Sequence, residues 1–358
     1  MNAPGSGPVD DEIELTLFGP GYGECAVLHV GGGTWVIVDS CMGTGETPRP
    51  LEYLTEIGVD AGRAVELIVA SHWHDDHIRG MARLVETCGN ATFCCASALC
   101  EEEFLAAVGA LEGHGFSAAG SGVREVHRVF SRLAESKARP VFAVANRRIF
   151  SRNGCNIWAL SPNDSVVVDF LRSIGRLVPG GGEPKARLSP LSPNEVSVAL
   201  WIDFEDTAAL MGADLERRGW VDALQNPVRP VGRASVFKIP HHGSSGADEP
   251  GIWEWMLEPE VAAALAPWRR GRSRLPTPQD AERLLSNTPN VWITSGREPS
   301  AATRRNQAVD SAVQEAGIEL RRIAMSPGAI RMRRPVGGGS QWRVETLGSA
   351  RHLSEATV

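Results

Sequence analysis

The chain has 358 residues, a formal net charge of −7, 42% apolar and 22% charged residues, an ordinary globular balance that excludes wholesale disorder and fibrous classes. No run approaches the ~18 consecutive apolar residues that cross a bilayer, and residues 1–11 are Gly/Pro-rich and acidic rather than basic and then apolar, which argues against a leader and against a membrane partner. Seven cysteines, an odd number without framework spacing, point to free thiols in a reducing compartment, with the cytoplasm as the expected address.

In chain order, Ile13 to Phe18 alternates, and Ala26 to Val30 and Thr34 to Asp39 are short apolar runs separated by Gly31-Gly32-Gly33, the pattern of a hairpin of buried strands. Pro50 to Ile57 has helical spacing, Val65 to Ala70 is strand-like, Ile78 to Cys88 helix-like and Ala91 to Ala96 strand-like again. Helix formers dominate residues 101–148, which reads as a helical insertion. Strands are expected over 150–160, 197–204, 208–211, 235–239, 262–266 and 291–294, and helices over 166–174 and 278–285. A Pro/Gly-rich loop spans 179–193. Closing strands are expected at 318–323, 329–332 and 342–345, with Gly337-Gly338-Gly339 as a turn.

Pro267 to Arg334 holds thirteen Arg, no Lys and six acidic residues, a local balance of +7 within an acidic chain. Such a segment predicts a basic surface able to attract a polyanion, against the plainer expectation of scattered or paired side chains.

The chemistry concentrates in His72-Trp73-His74-Asp75-Asp76-His77, directly after the strand-like run Leu67 to Ala70. Three imidazoles and two carboxylates within six residues are ligands that a borderline metal accepts, and a loop leaving a strand can gather them about one point. Downstream, Asp214 follows Leu210-Met211-Gly212-Ala213, and Lys238-Ile239-Pro240-His241-His242-Gly243-Ser244 ends another strand. Paired histidines there can add a ligand and a proton-transfer group. Cys88, Cys94, Cys95 and Cys100 match no zinc-ribbon spacing, and the run holding Cys94 and Cys95 is apolar.

His72-x-His74-x-Asp76-His77 resembles the signature of the metallo-β-lactamase superfamily. The resemblance implies a four-layered αββα sandwich and two divalent metal ions, zinc or else manganese. His72 and His74 would hold one metal, Asp76 and His77 the other, and Asp214 would bridge them. One of His241 or His242, with His242 the expected ligand, completes the set, while Asp39 would orient a histidine ligand. Lys238-x-x-His241-His242-Gly243-Ser244 is similar to the soluble domain of ComEC/Rec2 competence proteins. That likeness implies a phosphodiesterase or nuclease acting on DNA, in processing or defence, with a metal-activated hydroxide as nucleophile. Asp76, His241 and Lys238 would serve catalysis, and Arg269, Arg270, Arg272 and Ser244 would hold substrate phosphate. The alternative is a hydrolase of a small ester, thioester or lactam. The histidine that often stands between the first motif and the bridging Asp has no clear counterpart, since His114 and His127 fall in the helical segment. The organisation expected is a flexible N-terminus over 1–12, one hydrolase domain over 13–345 with the insertion at about 101–148, and a C-terminal tail over 346–358.

Overall fold

A computed structural model describes residues 5–19, 23–43, 45–99, 121–175, 193–270, 273–296, 326–337 and 341–356. Strands β1 Glu12–Gly19, β2 Cys25–Val30 and β3 Trp35–Val38 form an antiparallel meander. Helices α1 Arg49–Glu56 and α2 Ala61–Ala64 lead to β4 Val65–Ala70, which pairs in parallel with β3. The expected helix 78–88 is two pieces, α3 Asp75–Ile78 and α4 Met81–Thr87. They part at Gly80, whose φ of 83° suits glycine and whose Cβ, were there one, would meet Pro48 at 2.9 Å.

After β5 Thr92–Ala96, residues 100–120 lie outside the described residues, and α5 Ser121–Ser136 carries the helical segment. The helix-forming composition of residues 137–148 is overridden by pairing. β6 Val141–Ala143 extends the parallel edge beside β5, and β7 Arg147–Arg152 opens a second sheet. That sheet continues through β8 Cys155–Ala159, helix α6 Asp164–Gly175, β9 Leu200–Phe204, β10 Thr207–Met211, helix α7 Arg217–Gln225 and β11 Ala234–Lys238. Helix α8 Pro250–Trp255 and β12 Leu257–Leu265 follow, then a hairpin of β13 Trp268–Arg270 and β14 Ser273–Leu275 that the sequence did not signal. Helix α9 Pro278–Asn287, started by a capping box at Thr277, and β15 Val291–Ile293 complete the second half.

The chain then returns to the first sheet with β16 Gly328–Pro335 and β17 Arg343–Gly348, and β18 Arg351–His352 pairs with β15. The expected strand at 318–323 lies outside the described residues. Neither end is loose as expected. Residues 346–348 finish β17, Leu353 is buried, and at the front Ser6 accepts from Arg333 while Asp10 accepts from Gly32. Two-residue strands and single contacts leave no periodicity to read.

The result is two eight-stranded mixed sheets, ordered β17-β16-β1-β2-β3-β4-β5-β6 and β18-β15-β12-β11-β10-β9-β8-β7, with helices on their outer faces. Alternation along the second sheet proves the stacking. Leu200, Ile202, Ala209, Met211, Val236, Ala262 and Ala264 join the core between the sheets, while Trp201, Ala208, Leu210, Phe237, Ala263 and Leu265 face the helices. This mixed α/β architecture is that of the expected sandwich.

Among the described residues, the arginines of the basic segment do not make one basic surface. Arg331, Arg333 and Arg334 are buried and paired with Glu345, Glu14 and Asp206, and Arg283 pairs with Asp248 and Asp280. Arg272 and residues 297–325 lie outside the described residues. Arg269, Arg270 and Arg274 are exposed on the hairpin.

Glu14 ties the first sheet to α1. Fully buried, its carboxylate accepts from Thr16 Oγ1 at 2.8 Å, Tyr53 Oη at 2.5 Å and Arg333 Nε at 2.6 Å. Removing one partner of such a buried pair strands the others, so Glu14→Ala should destabilise the fold by roughly 3–5 kcal/mol in urea unfolding; a loss below about 1 kcal/mol would contradict this account.

Candidate metal centre

The loops that leave β4 in the first sheet and the parallel neighbours β10 and β11 in the second carry the polar residues. After β4, His72 and His77 are fully buried and His74 and Asp76 partly so. After β10, Gly212 lets the chain pass under the next loop: its N–H donates to Lys238 O at 3.0 Å, and an added Cβ would lie 2.9 Å from Lys238 O and Pro240. Asp214 follows, 2% exposed. After β11 come His241 and His242. Asp39, Ala213, His241 and His242 all hold positive φ, at 63°, 45°, 46° and 54°, a conformation that non-glycine residues keep only where surroundings enforce it.

The donor atoms fall into groups. His72, His74 and Asp214 form one, Asp76, His77 and His242 a second, and Glu24, His77 and Asp214 a third, each with its atoms within 4.8 Å of one another. Asp214 faces both histidine sets, Oδ2 lying 3.9 Å from His72 Nε2 and Oδ1 3.3 Å from His77 Nε2. His242 Nε2 is 3.3 Å from Asp76 Oδ2 and 3.6 Å from Asp214 Oδ2. His241 instead turns to Asn194 and Glu216, with Nε2 3.4 Å from Asn194 Nδ2 and Nδ1 3.8 Å from Glu216 Oε1.

Asp39 accepts from Ser71 N at 2.7 Å, Ser71 Oγ at 2.8 Å and His77 Nδ1 at 2.8 Å. His242 Nδ1 lies 3.0 Å from Ala266 O. Both rings thereby keep Nε2 toward the centre, the arrangement that metal-ligating histidines adopt.

Glu24 belongs to the site, although the sequence reading attached no role to it. It is 2% exposed, pairs closely with Lys238, and lies 3.8 Å from His77 Nε2 and 3.7 Å from His242 Nδ1. Gly23 before it has a φ of 104°, and a Cβ there would overlap Asp76 O at 1.9 Å. A glycine required beside an acidic residue was the available signal. Lys238, expected to meet substrate, is 4% exposed and committed to Glu24, Ala213 O at 2.9 Å and Asp214 at 3.9 Å. Ser244 accepts from Gly246 N at 3.2 Å, as a turn residue does. No third histidine accompanies His72 and His74 among the described residues, His127 is exposed on α5, and His114 lies outside the described residues. Cys88, Cys94 and Cys95 are buried.

Residues 18–142 match the sequence profile of the Metallo-beta-lactamase superfamily. That stretch resembles a metallo-β-lactamase superfamily domain, and the two large mixed sheets with helices are consistent with that fold. Solved structures similar to it include the CmlA beta-hydroxylase E377D mutant (12% identity, 65% of this chain and 36% of that one, TM-score 0.33). They also include the hydrolase AbOPH (10%, 53% and 55%, TM-score 0.33) and the dizinc quorum-quenching lactonase AidC (14%, 54% and 57%, TM-score 0.31). The chain spans less than two thirds of the length of each. No curated protein matches the chain.

The donor set of the site suits a divalent cation. Glu24 Oε2, His77 Nε2, Asp214 Oδ1 and His242 Nε2 are buried without a hydrogen-bond partner, and imidazole with carboxylate is a set that zinc or manganese accepts. The site gathers four carboxylates, Glu24 and Asp214 beside the Lys238 ammonium, Asp39 beside His77 and Asp76 beside His242, leaving an excess of negative charge over that one fixed cation. Protons fill part of it. Burial alone would lower His77 and His242, but the Asp214 carboxylate, with Asp39 beside His77 and with Glu24 and Asp76 beside His242, raises both above the ordinary imidazole value. His72 is held well below that value by burial and by neighbouring His77. Burial raises Asp76 and Asp214, yet the imidazoles facing them at 3.3 Å, His242 for Asp76 and His77 for Asp214, bring both below the usual carboxylate range.

Two predictions follow from these charges. A metal ligand must be neutral imidazole, so metal entry has to displace protons from His77 and His242. Calorimetric zinc titrations in buffers of different ionisation enthalpy should show proton release near neutral pH, and affinity should rise with pH through the raised imidazole pKa values; pH-independent affinity would contradict the assignment. Asp39→Asn, which removes the charge that fixes the His77 ring, should weaken zinc binding about 10- to 100-fold in competition against a chromophoric chelator, leaving the fold intact by circular dichroism.

Proposed function

We propose that this protein is a metal-dependent phosphodiesterase acting on nucleic acid, with DNA ahead of RNA because of the likeness of the Lys238 to Ser244 motif. The observation that carries the reading is the β13–β14 hairpin. Trp268 at its base lies parallel to the His242 ring, 6.4 Å between centroids and 23° between planes, and Arg269, Arg270 and Arg274 are exposed on its two strands. Guanidinium groups beside a metal centre suit a phosphodiester, whose non-bridging oxygens they can engage in pairs.

His72, His74 and Asp214 would hold one divalent cation, zinc or manganese, and Asp76, His77 and His242 would hold a second. Cations there supply Lewis acidity and make a water acidic enough to act near neutral pH. The protein's own residues do the rest. Asp39 and Ala266 O hold the two imidazoles in the tautomer that presents Nε2. Glu24 and Lys238 supply the fixed countercharge behind the site. Burial lowers His241 from the ordinary imidazole value, Asn194 steadies it, and its Nδ1 has no hydrogen-bond partner, so it is the group available to take up a proton from water and pass it to the departing oxygen.

The test is hydrolysis, with zinc and separately with manganese, of single-stranded DNA, duplex DNA, RNA, bis(4-nitrophenyl) phosphate, a lactone and a lactam. The expected outcome is chelator-sensitive cleavage of DNA and the chromogenic diester, lowered about 100-fold or more by His72→Ala and by Asp76→Ala. Arg270→Ala should raise KM for DNA and reduce the salt slope of binding by about 1 while sparing the chromogenic diester. Activity on the lactone or lactam alone would overturn the phosphodiester reading.

A further inference from the structure

Cys25 and Cys41 face each other with their sulfurs 3.3 Å apart, 2% and 3% exposed, and neither takes part in the chemistry above. Their neighbours do. Glu24, just before Cys25, donates its N–H to Asp76 O at 2.8 Å, and Ser40, just before Cys41, donates its N–H to His77 O at 2.7 Å. The two thiols thus lie directly behind two peptide clamps that fix consecutive residues of the centre. Asp39, two positions before Cys41, also holds the His77 ring. Cys25 opens β2 and Cys41 stands three residues beyond the end of β3, and these two strands are paired there, Ala26 opposite Val38.

We propose that Cys25 and Cys41 are an oxidative modification site, a dithiol that closes to a disulfide and so shifts the clamps on Asp76 and His77. A disulfide needs its sulfurs ~2.05 Å apart, so closing the 3.3 Å gap means an approach of about 1.3 Å. The burial of both sulfurs calls for a small oxidant, of the hydrogen peroxide class. One thiol sulfur attacks a peroxide oxygen and the O–O bond breaks, giving a sulfenic acid and one water. The second thiol sulfur then displaces the hydroxyl as a second water, forming the S–S bond. Two electrons pass from the thiols to the peroxide, and both thiol protons leave in the waters.

Bond formation stands independently of the metal reading, whereas its effect on the centre rests on it. The test treats the full chain with hydrogen peroxide, blocks remaining thiols with N-ethylmaleimide in denaturant, and maps tryptic peptides with and without dithiothreitol. The expected result is a dithiothreitol-sensitive peptide pair joining Cys25 to Cys41. Zinc affinity, read against a chromophoric chelator, should be about tenfold weaker in the oxidised protein and should recover on reduction. Cys41→Ala and Cys25→Ala should each abolish the cross-link and make zinc affinity indifferent to peroxide. Both cysteines remaining alkylated after peroxide, or either joined to a different cysteine, overturns the site. A cross-link that leaves zinc affinity unchanged overturns the coupling. A reduced chain that binds no zinc overturns the metal reading while the peptide map still decides the dithiol.

Discussion

Asp39 accepts three hydrogen bonds in a fully enclosed position, two from Ser71 and one from His77 Nδ1, and the arrangement of the centre depends on it. The carboxylate joins the end of β3 to the loop that leaves β4, so it positions the loop and chooses the tautomer of one ring in a single contact. With Nδ1 occupied, His77 presents only Nε2 to Asp214 and Glu24. The left-handed backbone of Asp39, which costs energy outside glycine, is held because those bonds over-determine it. His242 is fixed in the same manner by Ala266 O. Two of the ligand-bearing loops are therefore oriented from behind by groups that never face the centre.

The excess of carboxylate explains why these loops converge rather than splay. Buried carboxylates repel one another and are tolerated only with protons, cations or a fixed countercharge. Lys238 provides the fixed part, held by Glu24 and by Ala213 O. Raised imidazole pKa values provide a second part that a cation can replace.

Much of this was legible in the residues. Val65–Ala70 is a continuous apolar strand followed at once by the histidine cluster, so the first donor group announces its own location. Asp214 and the His241/His242 pair were reached only through resemblance to the family's later motifs, since an Asp or a His after a short apolar strand carries little signal alone; the fold brings Asp214 and His242 beside the first cluster. Glu24 was not legible, because a lone acidic residue at the start of a strand carries no pattern until Gly23 is seen pressed against Asp76 O. Nor was the fate of the arginines. Arg331 and Arg333 sit on a strand whose alternation looks amphipathic, and only the long-range pairing of β16 with β1 brings Glu14 beside them. The end of the helical segment was misread for a related cause: three residues at Val141–Ala143 become strand through their neighbour β5, not through their own propensity.

The separation between what binds metal and what chooses substrate follows from the same geometry. Every donor atom of the centre is anchored to the ends of core strands, and Glu24, His72, His77, Asp214 and His242 are at most 3% exposed, so little about them can vary without disturbing the sandwich. The β13–β14 hairpin is different. It pairs only within itself, touches the centre through Trp268 on His242, and exposes its arginines. Under the proposed function, a change of charge on that hairpin would alter what is drawn to the centre while leaving the buried donors in place. Chemistry would then be set by the seam between the sheets, and selectivity by a two-stranded hairpin resting on His242.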